Sequence, residues 1–144
     1  MKSVIELDIA APPSRVAELF DDPELFPRWM DDLERVERLS GDPGVRTGAR
    51  YRMVPKQGTL VFVVTVIGRG APHRSHLVLD APTVSVSVTG KFSDLPGGRT
   101  RLVSEETFMF KGLLGRLFGL LGYFSVKRAH RRHMEAFKRF VESG

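Results

Sequence analysis

Cysteine is absent from the 144 residues. That excludes disulfides, thiol nucleophiles and cysteine-ligated zinc or iron–sulfur centres, and it suits a reducing, cytoplasmic setting. Long hydrophobic runs are missing too. The longest are Leu60 to Ile67 and Leu113 to Phe124, the second broken by Arg116, and a bilayer span needs about 20 apolar residues. A secretory leader is not expected, because Glu6 and Asp8 interrupt the apolar stretch one would require. Familiar catalytic signatures are also lacking: no GxSxG, no P-loop, no GxGxxG after a strand and no HExxH.

What remains is an ordinary globular composition, 42% hydrophobic and 27% charged. The length suits one domain, residues 1–144, with no linker, repeat or low-complexity tract. The net charge of +5 could draw the chain to anions. Its basic residues, however, concentrate on one C-terminal helix with no interleaved aromatics, so a nucleic-acid partner is not expected.

Val4 to Ile9 alternates apolar and acidic residues, which predicts a half-buried strand. Pro12-Pro13-Ser14 and Asp22-Pro23-Glu24 each open a short helix, and Pro23 and Pro27 keep both short. From Leu33 to Phe110 the chain reads as strands. Turn signals divide them at Asp42-Pro43-Gly44, Pro55-Lys56-Gln57-Gly58, Gly70-Ala71-Pro72, Ala81-Pro82 and Pro96-Gly97-Gly98. Tyr51 and Met53 alternate with arginines, and Val84, Val86 and Val88 with serines and threonine, as in an antiparallel meander with one wet face. About seven strands result. The segment from about Gly112 to Glu142 is helical.

This order resembles the SRPBCC, or START-like, superfamily. The resemblance rests on Ile9-Ala10-Ala11-Pro12-Pro13-Ser14-Arg15-Val16 at the first strand–helix junction and on Trp29 after the second helix. It rests also on the glycine-flanked turn Gly44 to Gly48 and on Gly97-Gly98-Arg99-Thr100-Arg101-Leu102 entering the last strand. The polyketide cyclase/dehydratase and lipid-transport branch is the most similar. The resemblance implies an α+β helix-grip fold, a curved antiparallel sheet around a long C-terminal helix. It also implies an internal cavity for a lipid, polyketide or isoprenoid. No cofactor is expected. Some members are cyclases or dehydratases and others only bind or carry, so the fold does not choose between them.

On a helical wheel, Val126, Ala129, His130, His133, Phe137, Phe140 and Val141 share one arc, while Lys127, Arg128, Arg131, Arg132, Lys138 and Arg139 lie opposite. The basic run is expected to be a solvated face, with contact to an anionic surface or an acidic partner as the alternative. Taking Leu102 and Phe108 as inward gives Ser104 and Glu106 the same parity; the opposite parity would place Glu105 inward instead. Tyr51 and Met53 face inward on their strand. The candidate ligand contacts are therefore Tyr51, Met53, Glu106, Phe108, Val126, His130, His133 and Phe137. No metal is expected, since neither His130 and His133 nor His73 and His76 have a carboxylate at a known ligand spacing.

Three functions follow in order: carriage of an apolar small molecule, a metal-free cyclase or dehydratase using His130 or His133 with Glu106, and an interaction module acting through the C-terminal helix. Leu113, Leu117, Leu120, Leu121 and Phe124 fall on the side later taken by arginines, so one straight helix cannot bury both halves. A bend between Gly119 and Ser125, with the leucines closing one end of the cavity, is the preferred expectation. The alternative is a homodimer or peripheral membrane contact through those residues.

Overall fold

The structure is a computed structural model that describes residues 1–42, 44–70 and 74–144. The expected turns at Pro43 and Ala71-Pro72, and His73, lie outside the described residues. Strand β1 (Lys2–Ile9) leads into α1 (Pro13–Phe20) and a 3₁₀ helix (Pro23–Arg28). Pro13 stands in the first turn of α1, where its missing N–H is not needed. Asp22 opens the 3₁₀ helix by accepting the Glu24 N–H at 3.2 Å.

A meander follows: β2 (Leu33–Ser40), β3 (Arg50–Pro55), β4 (Phe62–Gly70), β5 (Arg74–Asp80), β6 (Val84–Leu95) and β7 (Arg99–Phe110). The sheet runs β1-β7-β6-β5-β4-β3-β2 with every neighbour antiparallel, so β1 forms one edge by pairing with β7 and β2 forms the other. Gly97 and Gly98 carry the β6–β7 turn at φ 83° and 72°, a conformation that side chains with a Cβ resist. The curved sheet grips α3 (Tyr123–Ser143), as the helix-grip reading requires.

Aromatic side chains lock one end of the sandwich. Phe20 of α1 meets Phe92 of β6 and Phe137 of α3 edge to face, each at 5.5 Å. Trp29 continues the contact at 5.0 Å from Phe137 and 5.4 Å from Phe26. Nearby, the buried Asp21 carboxylate accepts from Arg46 at 2.8 Å and Ser75 at 3.0 Å, which satisfies a charge that would otherwise be costly.

Helix α2 (Gly112–Leu121) and α3 are separate elements that meet at Gly122, inside the interval where a bend is the preferred expectation. The leucines, however, do not close the cavity. Leu113, Leu120 and Leu121 are 86%, 77% and 74% exposed, and the buried residues of α2 are Gly115 and Gly119. The reason is close approach. A Cβ on Gly119 would stand 2.5 Å from the Phe110 ring, and one on Gly115 would stand 2.6 Å from the Thr83 carbonyl oxygen.

That carbonyl already accepts the Lys111 N–H at 2.8 Å, so it cannot easily move. Gly115→Ala is therefore expected to destabilise the protein by about 1–3 kcal/mol through overpacking. This outweighs the gain of up to about 1 kcal/mol in helix propensity. Urea denaturation checks this; equal or higher stability would show that α2 is not seated on its glycine face.

Candidate functional site

A cavity of about 470 Å³ lies between α3 and the sheet, a volume typical of small-molecule sites, which span roughly 300–1,000 Å³. Its walls alternate out of five consecutive strands: Met53, Phe62, Leu79, Val86 and, from β7, Glu106 and Phe108. The first half of α3 supplies Val126, Ala129, His130 and His133. Met30, Asp32 and Leu33 line the side below the 3₁₀ helix, and the exposed Gln57 to Leu60 segment of the β3–β4 connection forms a rim.

The structure thus brings six of the eight candidate residues to one cavity and leaves two out. Tyr51 is 1% exposed and belongs to the core, where burial raises its phenol pKa. Phe137 is fully buried in the aromatic cluster. Register explains the difference on β3. Tyr51 pairs with the buried Val64, whereas Met53, one pleat further along the same face, pairs with Phe62 of the cavity wall. Alternation gives the face a residue points to, not its depth along the strand.

His130 is 1% exposed, and both its ring nitrogens are engaged. Nδ1 lies 2.8 Å from the Ser3 hydroxyl of β1 and Nε2 lies 3.0 Å from the Ser104 hydroxyl of β7. A neutral imidazole donates from one nitrogen and accepts at the other, and each hydroxyl can turn to suit. Burial, helped by His133 and Arg131, pushes its pKa down to about 4.

Glu106 sits 3.7 Å from His130 Nε2, and desolvation pushes its carboxyl up to about 7. Between these values Glu106 keeps its proton and His130 stays neutral. The contact joins two neutral groups, not an ion pair. Among the described residues no Lys or Arg side chain forms a salt bridge with Glu106, and its carboxyl faces the cavity.

At the rim, His133 Nε2 lies 3.0 Å from Asp32 Oδ1. Asp31, Asp32 and His133 present donor atoms within 4.8 Å of one another. This grouping arises from residues about a hundred positions apart, so the sequence spacing did not disclose it. Arg132 lies 3.5 Å from Asp31 and 3.6 Å from Asp32. Its guanidinium supplies the positive charge that a cation would bring, and the cluster reads as an ion-pair network.

Residues 2–142 match the family described as polyketide cyclase / dehydrase and lipid transport. Among solved structures, a protein from Thermus thermophilus superimposes with a TM-score of 0.77 at 20% identity, covering 98% of this chain and 97% of that one. A START superfamily protein from Mycobacterium smegmatis gives 0.76 at 16% identity, with 99% and 97% covered. An aromatase/cyclase from a Streptomyces species gives 0.70 at 20% identity, with 100% and 98% covered. At such identities the likeness is one of fold. No curated protein matches the sequence.

Proposed function

The chain belongs to the polyketide cyclase / dehydrase and lipid transport family, and from this and the cavity we propose that it binds and carries an apolar small molecule bearing an oxygen acceptor. The observation that carries the reading is the place of Glu106, a carboxyl set among Phe108, Val86, Leu79 and Met53 on the sheet wall of the cavity. Desolvation there raises its pKa to about 7 and so favours the protonated form below that pH. A neutral acid donates a hydrogen bond to a ligand carbonyl or ether oxygen, while Met53, Phe62, Leu79 and Phe108 exclude water around it. Carriage is favoured over cyclase chemistry by the state of His130. A histidine whose two nitrogens are both held by serines and whose pKa is lowered to about 4 is a poor proton acceptor for a substrate.

The test is a fluorescence titration with the neutral apolar dye Nile red, using the parent and Ala129→Trp, whose indole would intrude into the cavity that Ala129 lines. Saturable one-site binding by the parent, weakened at least about tenfold in the variant, is expected. Absence of saturable binding, or equal binding by a folded Ala129→Trp protein, would overturn the proposal.

A further inference from the structure

Helix α2 shows solvent an apolar surface that nothing in the fold covers. Leu113, Leu117, Phe118, Leu120, Leu121 and Phe124 are each more than half exposed, a concentration that soluble monomers rarely leave open without a use. Along the chain the charges of this segment are all of one sign, although Lys111, Arg131 and Arg132 pair with Asp80, Glu135 and the Asp31 and Asp32 carboxylates from elsewhere in the fold. From Thr107 to Met134 there is no aspartate or glutamate, whereas Lys111, Arg116, Lys127, Arg128, Arg131 and Arg132 all fall there. Among the described residues no carboxylate forms a salt bridge with Arg116, Lys127 or Arg128, and all three are exposed.

We propose that α2 and the first turn of α3 form a docking surface for an anionic lipid membrane, the leucines entering the interface and the cations meeting the headgroups. Charge complementarity selects this occupant over a second copy of the chain. A two-fold contact through α2 would set the same cations against each other with no acid in the segment to offset them. The helix lies on the surface rather than through it, since no helix among the described residues is long and apolar enough to cross a bilayer.

The surface also adjoins the cavity wall. Gly119 rests on the ring of Phe110, and Phe110 stacks on the cavity residue Phe108 at 6.2 Å. Membrane contact thus falls beside the chamber, where transfer of an apolar molecule would be useful. The docking itself does not depend on the carriage reading.

Cosedimentation with phosphatidylcholine vesicles containing about one-third phosphatidylserine tests the proposal. The parent should bind, and binding should weaken at least about fivefold as salt rises from low to high or when phosphatidylserine is omitted. Leu117→Ser with Leu121→Ser should reduce it by more than about tenfold. The triple substitution Arg116→Gln, Lys127→Gln and Arg128→Gln should also weaken it, with the thermal midpoint unchanged. Glu106→Gln should bind vesicles like the parent. Failure of the parent to bind the anionic vesicles, unchanged binding by the leucine variant, or a dimer in sedimentation that the leucine substitutions abolish without any vesicle binding, would each overturn it.

Discussion

Replacing Glu106 by leucine is expected to make the protein more stable at pH 8, by about 3 kcal/mol, and to remove a decline in stability that the parent shows as pH rises. In the unfolded chain this carboxyl ionises near its ordinary 4.5, while in the fold desolvation holds the proton to about 7. Below about 4.5 both states are protonated and the group costs nothing through ionisation. Between the two values the unfolded state releases a proton that the native state retains, so stability falls with pH. Above about 7 the full penalty applies. Urea denaturation of parent, Glu106→Leu and Glu106→Gln across pH 4 to pH 9 reads this out, and both variants should lack the slope. A Glu106 contribution that rises with pH would mean the carboxylate is stabilised by a partner. The neutral-donor role would then fail.

His130→Ala is expected to cost about 2–4 kcal/mol, since it leaves a cavity and strips two buried hydroxyls of their partner. The imidazole ties three elements that are distant in sequence: β1 through Ser3, β7 through Ser104, and α3 itself. Its pH signature is opposite to that of Glu106. The native pKa of about 4 lies below the ordinary 6.5, so the histidine's contribution is fully present above about 6.5 and declines as pH falls toward 4. Together the two groups offset each other between about 4.5 and 6.5, with stability falling off on either side. His130→Phe should abolish the acid limb alone. An unaltered acid limb in that variant, or a loss under about 1 kcal/mol in His130→Ala, would show that the serine network is not a structural tie.

The arrangement of elements was legible because each signal was local. Pro12-Pro13 and Asp22-Pro23 opened the short helices, and Gly97-Gly98 marked the last hairpin. The change of apolar phase across Gly119 to Ser125 favoured a bend there, and the two helices do meet at Gly122. The parity chosen from Leu102 and Phe108 also brings Glu106 to the cavity.

What stayed hidden depends on position along an element or on distant partners. Tyr51 and Phe137 have the right face but lie in the aromatic-packed part of the sandwich, away from the open chamber. Ser3 and Asp32 meet the histidines across 127 and 101 residues. Leucines outnumber glycines as burial signals, yet on α2 the glycine face packs, because only it admits Phe110 and the Thr83 carbonyl.

Native mass spectrometry of protein purified from its own host tests most directly whether the cavity between α3 and the sheet holds an apolar molecule. The parent is expected to retain a small-molecule adduct, Ala129→Trp to lose it, and a variant carrying Leu117→Ser and Leu121→Ser on α2 to keep it. No adduct on the parent, or one that survives Ala129→Trp but disappears when the α2 leucines are replaced, would contradict a ligand held inside the fold.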